Sequence, residues 1–242
     1  MKIIPPYLSY EYFRGVGEWD SLLCDLATLS YASEDFIRLK LLDSPFELKD
    51  IIRHGDFQCI VAKGRGRLVI TFKGTDSLYD WYTDIKVGLT PHGIHEGFFG
   101  AAKQFFDQLA RWAAGEDVTL GGHSLGGAMT TVECDDLSSQ RQELSIKSIE
   151  LVTFGSPRVG DHSFAERVHR RVHEIRRYVH GEDEVPQVPF NAMHYEHVGR
   201  EIHLRQMPRP WLHAIPWPNP YYCPMRIFSH VPTNYCARLW GE

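Results

Sequence analysis

Gly122-His123-Ser124-Leu125-Gly126 stands where a run of strand character, Asp117-Val118-Thr119-Leu120, gives way to one of helical character, Ala128-Met129-Thr130-Thr131-Val132. A G-x-S-x-G pentapeptide in that setting forces a sharp strand-to-helix turn, with the serine oxygen held clear of the sheet. Glycines flank the serine because side chains there would collide with the strand and the helix it joins. The bland alternative is a glycine-rich turn with a helix-capping serine, and the strand–turn–helix setting argues against it. A strand that runs straight into a helix also predicts parallel pairing through crossover helices.

The remaining periodicity agrees. Residues 19–32 carry Leu22, Leu23, Leu26 and Leu29 at helical spacing, whereas 57–63 and 67–73 are β-rich runs joined by Gly64-Arg65-Gly66, a predicted hairpin. Helices are predicted over 97–114, 125–137 and 163–172, alternating with strands over 117–121, 149–154 and 175–179. This is an α/β pattern, with a mixed, mostly parallel central sheet and helices on both faces, in one domain spanning 1–242. Past Glu201, six of the 14 prolines fall between Pro208 and Pro224, among Trp211, Trp217, Tyr221 and Tyr222. Such a run is neither helix nor central strand. We read it as an ordered loop, followed by a short helical segment over 235–240.

A net charge of −5, from 26 basic and 31 acidic side chains, argues against nucleic-acid binding. No stretch approaches the ~18 apolar residues of a spanning helix, and residues 1–7 lack the apolar run of a secretory signal. The expected setting is therefore cytoplasmic or undefined. The five cysteines (Cys24, Cys59, Cys134, Cys223, Cys236) are odd in number and form no C-x-x-C. They read as mostly free thiols of a reducing compartment, with a Cys223–Cys236 pair left open. His194, His197 and His203 do not follow a zinc-binding spacing, so neither metal nor cofactor is expected.

A serine hydroxyl needs a base to take its proton and an acid to orient that base. In α/β hydrolases they follow in the order serine, acid, histidine. Asp183, in the loop just past the strand that ends at His180, is the candidate acid, with Glu182 and Glu184 as local competitors. Among His194, His197, His203, His213 and His230, the last is preferred because it precedes the C-terminal helical segment; His203 is second. The N–H of Leu125, which opens the helix after the serine, is a candidate oxyanion donor.

At this point five motifs, in order, resemble the class 3, or fungal-type, lipases of the α/β-hydrolase superfamily and their feruloyl esterase and phospholipase relatives. They are Thr71-Phe72-Lys73-Gly74-Thr75, His95-Glu96-Gly97-Phe98, Gly122-His123-Ser124-Leu125-Gly126-Gly127-Ala128, Thr153-Phe154-Gly155-Ser156-Pro157-Arg158-Val159-Gly160 and Asp183-Glu184-Val185-Pro186. The resemblance runs from about residue 26 to the C-terminus. It implies the α/β-hydrolase fold, Ser124 as nucleophile, Asp183 as acid, His230 as base, and Thr75 with the Leu125 N–H as the oxyanion hole. The sequence departs from the family in carrying Ser229 before the histidine, where many members have Asp, and Lys73 where Arg is usual.

The expected activity is hydrolysis of lipid carboxylic esters, acylglycerols or similar, through an acyl-enzyme by a monomer working at a lipid–water interface. The alternatives are a short-chain or feruloyl-type esterase, a phospholipase, an acyltransferase with the same three residues, or a lipid-binding protein without activity. Leu78, Trp81, Tyr82 and Ile85 fall on one face of a predicted short helix, read either as a lid over Ser124 or as fixed core. The aromatic loop with Trp211 and Trp217 reads as a wall of the acyl pocket.

Overall fold

The computed structural model describes residues 18–75, 88–205 and 229–241, with Glu11 and Phe13. In chain order they form α1 (Trp19–Leu29), α2 (Glu34–Leu41), β1 (Glu47–His54), β2 (Phe57–Gly64), β3 (Arg67–Phe72), α3 (Glu96–Ala102) and α4 (Phe106–Ala113). These are followed by β4 (Asp117–His123), α5 (Leu125–Ser139), β5 (Ser148–Phe154), β6 (Gly160–Asp161), α6 (His162–Arg171), β7 (Glu174–His180), β8 (Tyr195–Glu196), β9 (Arg200–Leu204) and α7 (Pro232–Leu239). Seven strands make one sheet in the order β1-β2-β3-β4-β5-β7-β9. β1 and β3 run antiparallel to β2, and every pairing from β3 onward is parallel. This is the mixed, mostly parallel sheet of an α/β-hydrolase fold.

The hairpin turns on Arg65 (φ 50°) and Gly66 (φ 77°), the paired left-handed conformations that match the twist of a two-residue β-turn. Side chains alternate across the pleat. Cys59, Val61, Leu68, Ile70, Phe72, Leu120 and Leu151 meet α3, α4, α5 and α6 on one face. Ile60, Ala62, Val69, Val152 and Phe154 meet α1, α2 and α7 on the other. The core is thus two apolar layers around one sheet, with helices on both faces.

The single helix expected over 97–114 is two. At the break, Phe105 N–H bonds the Ala102 carbonyl at 2.8 Å, an i→i+3 turn. Phe105 is thereby fully buried, edge-on to Phe72 at 5.0 Å and to His54 at 4.7 Å. The sequence reading also missed α2, β1 and β9. β1 and β9 are the edges of the sheet, and their sequences, ELKDIIRH and REIHL, are too polar to show an apolar period.

Among the described residues no helix is long and apolar enough to cross a membrane. Cys24, Cys59, Cys134 and Cys236 are buried free thiols, and Cys236 Sγ lies 2.9 Å from Cys24 Sγ. Cys223 lies outside the described residues.

Candidate active site

The parallel register brings the candidate residues to one edge of the sheet. Phe72 pairs with Gly122, so the loop 73–75 and the elbow 123–125 leave the sheet side by side. His123 pairs with Phe154, and Phe154 with Tyr178, which puts the loop after β7 on the same edge. Carboxyl ends of parallel strands are where such sheets present functional groups.

At the elbow, Ser124 takes φ 59° and ψ −130°, a conformation that costs a non-glycine residue about 1–3 kcal/mol. It is held there by its N–H, which donates to the Phe154 carbonyl at 2.9 Å. The approach of β4 to α5 leaves no room for side chains at the flanking glycines. A Cβ on Gly122 would come within 2.5 Å of the Gly126 carbonyl, and one on Gly126 within 2.2 Å of the Phe72 oxygen. Leu125 begins α5, so its N–H is one of the orphan donors at the helix N-terminus.

His230 and Asp183 are 59 or more residues beyond Ser124 and are brought against each other. Their relation is a 2.7 Å hydrogen bond from His230 Nδ1–H to Asp183 Oδ2, with both side chains buried. The same oxygen accepts the Tyr235 hydroxyl at 2.5 Å, and Oδ1 accepts the Val185 N–H at 2.9 Å. Two donors besides the base thus hold the carboxylate against His230. Ser124 Oγ and His230 Nε2 are buried and hydrogen-bonded to no described residue, which leaves each available for the step a substrate would trigger.

Thr75 is the last described residue after β3, half-buried, and follows a Gly74 pressed against the Tyr31 hydroxyl and the His123 carbonyl. His203 sits on edge strand β9, half-exposed, with Nδ1 3.5 Å from Glu201 Oε1. His194 is exposed, and His197 donates from Nε2 to the Pro186 carbonyl at 2.7 Å. Glu182 is exposed and Glu184 half-buried. His213, Leu78, Trp81, Tyr82, Ile85, Trp211 and Trp217 lie outside the described residues.

Four contributors were missed from sequence. Tyr235 is one. The second is Arg158, whose guanidinium donates to the carbonyls of Gln187 and Pro189 and ties down the loop after Asp183. Tyr31 and His123 complete the set: the Tyr31 hydroxyl donates to His123 Nδ1 at 2.8 Å, and His123 Nε2–H donates to the His230 carbonyl at 2.8 Å. Burial, then the neighbouring His230, pushes the His123 pKa well down, so the ring is neutral. His95, in the H-x-G-F motif, has a local job. Its Nδ1 accepts the N–H groups of Gly97 and Phe98 and caps α3, and burial lowers its pKa to about 4. Among the described residues no group of histidine, cysteine and carboxylates is arranged to hold a metal ion.

Residues 69–193 match the family Lipase (class 3). The chain is 29% identical to a lipase from Rhizomucor miehei over 198 residues, 76% of this chain and 51% of that one. It is likewise 29% identical to secreted mono- and diacylglycerol lipase 1 of Fusarium solani over 153 residues, 58% of this chain and 44% of the relative. The chain therefore spans about half the length of the curated relatives it matches. Among solved structures, the triacylglyceride lipase of Rhizomucor miehei superposes with a TM-score of 0.65 at 27% identity, covering 75% of this chain and 77% of that one. The expectation of a cytoplasmic setting is overturned here, because the Fusarium relative is a secreted enzyme.

Proposed function

Because this chain belongs to the class 3 lipase family, we propose that it is a serine carboxylic-ester hydrolase acting on acylglycerols or similar lipid esters, with Ser124, His230 and Asp183 as its catalytic residues. The observation that carries the reading is the buried His230–Asp183 pair, with the His230 ring 4.6 Å from that of His123, the residue before a strained Ser124 at a helix N-terminus. With His230 Nδ1–H committed to Asp183, the free Nε2 is the nitrogen that takes the Ser124 proton as Oγ attacks the ester carbonyl. The developing oxyanion is met by the Leu125 N–H and by Thr75. His230 then returns its proton to the leaving alcohol, and an acyl-Ser124 remains. Water, deprotonated by His230, releases the acid and restores the serine. Asp183, bonded to His230 Nδ1–H, orients the ring and stabilises the imidazolium. We further read the chain as a single domain, acting as a monomer on substrate at a lipid–water interface.

The test is labelling with a fluorophosphonate, joined to turnover of nitrophenyl esters from short to long chains. The wild type is expected to label and to prefer long acyl chains. Ser124→Ala should neither label nor turn over, with a loss on the order of a million-fold and unchanged thermal unfolding. Labelling that survives Ser124→Ala would remove Ser124 from the role, and a preference for the shortest esters would replace the lipase reading with an esterase.

A further inference from the structure

Two buried histidines end parallel strands at the candidate site. His123 ends β4 and His180 ends β7, on either side of β5. Neither belongs to the proposed nucleophile, acid and base. Both point a ring N–H at the main chain that carries the base, and at consecutive residues of it. His180 Nδ1 lies 3.0 Å from the Ser229 carbonyl, and His123 Nε2 lies 2.8 Å from the His230 carbonyl.

We propose that His180 and His123 are positioning residues that grip the carbonyls of Ser229 and His230 and so set the backbone from which the base reaches Ser124. The inference rests on the reading of His230 as the base. The bond from Nδ1 to Asp183 fixes one point of the His230 ring, but a ring held at one point can still pivot about it. Nε2 sits on the far side of that pivot, so a small shift of the main chain becomes a shift of the atom that must meet Ser124 Oγ. Two carbonyls held from two strands of a rigid sheet remove that freedom. A misplacement of about 1 Å at a reacting group costs on the order of a hundredfold in rate.

The proton positions follow from the partners. A carbonyl only accepts, so His180 carries its proton on Nδ1 and His123 on Nε2. The bare Nδ1 of His123 is satisfied by the Tyr31 hydroxyl, whereas the bare Nε2 of His180 is buried with no hydrogen-bond partner among the described residues. Leaving a buried acceptor unsatisfied costs stability. A ring kept in place at that cost, for the bond its other nitrogen makes, is suited to positioning more than to stabilising. The groups facing His180 are the Tyr235 ring, at 5.5 Å between centroids, with Asp183, Arg238 and His203 acting through their charges. Burial is the largest influence and lowers the His180 pKa, which keeps the ring neutral near neutrality.

The experiment compares His180→Asn with His180→Leu in the full chain. Asparagine places an amide N–H near the position of Nδ1, while leucine fills the space without a donor. On a soluble short-chain nitrophenyl ester, His180→Leu is expected to lose about 10- to 100-fold in kcat with KM nearly unchanged, and to slow fluorophosphonate labelling in parallel. His180→Asn should keep kcat within about threefold of the wild type. Should His180→Leu fail to fold, His180→Gln replaces it, because its amide is one bond too far along to meet the same carbonyl; it should be slow where Asn is fast. Equal loss in the Asn and donor-less variants, wild-type rates in both, or a loss confined to KM would overturn the proposal. A wild type that neither labels nor hydrolyses any ester would instead sink the underlying reading of His230.

Discussion

Asp183 receives three donors, and Tyr235 supplies one of them to the same oxygen that holds His230. A hydrogen bond to a charged group contributes about 1.5–3 kcal/mol, some of it to stability and some to the aim of the carboxylate. Tyr235→Phe removes that oxygen and almost no volume. It is expected to lower kcat roughly tenfold, with KM unchanged and a melting temperature lowered by a few degrees. A lowered melting temperature with wild-type kcat would make the hydroxyl a matter of stability alone. Ser124, Asp183 and His230 could be named as candidates from sequence because a G-x-S-x-G turn singles out the first, and chain order together with the family's motifs picks the others. Tyr235, Tyr31, His123 and His180 could not. Each acts through a partner 49 or more residues away, and a tyrosine or histidine whose partner is that distant carries no local signal.

At the scale of elements, most strands and helices that bury one face or both were legible, whereas the short α2 and the sheet edges were not. α5 is the extreme case, since it is buried nearly all round, between the sheet and α3, α4 and α6, and yet carries Glu133. That side chain is fully buried, and neither carboxyl oxygen has a hydrogen-bond partner among the described residues. Burial, then the charge of Asp136, pushes its pKa well above the usual carboxylate range, so the folded protein holds Glu133 as the neutral acid. The unfolded chain releases that proton above pH ~4.3. Stability is therefore intact below that pH and falls as pH rises toward the folded pKa, by at most about 1.4 kcal/mol per pH unit. Glu133→Met keeps the volume and removes the charge. Its melting temperature should exceed that of the wild type by a margin that widens from pH 5 to pH 8. A margin independent of pH would mean that Glu133 is ionised in the fold and paired.

Across the whole molecule, the described start of the chain is tied to its end and to the middle of the sheet. The Ser21 hydroxyl donates to the Leu239 carbonyl, Trp240 donates to Asp25, and Arg176 of β7 bridges Asp20 of α1 and Glu150 of β5. Closure of this kind depends on strand order, and periodicity does not encode which strands are neighbours. One consequence is collective. His95, His123, His180 and His197 are all neutral and at least partly buried, with pKa values pushed down chiefly by burial, to about 4 for His95 and about 3 for His197. Protonation would also break bonds, since His95 Nδ1 accepts the cap of α3 and His123 Nδ1 accepts the Tyr31 hydroxyl. A histidine with a lowered folded pKa adds stability that is present above its unfolded pKa of about 6.5 and is lost as pH falls below it. Each of the four loses up to about 1.4 kcal/mol per pH unit in that window, while Glu133, a single group, regains up to the same amount per unit. The histidines win. Urea unfolding is expected to give a free energy at pH 5 lower than at pH 7 by on the order of 4 kcal/mol, and the fall should be steeper in Glu133→Met, where the opposing carboxyl is gone. A free energy that stays level from pH 7 to pH 5 would mean that these rings already carry protons in the fold, and the neutral donors assigned to His123 and His180 would have to be redrawn.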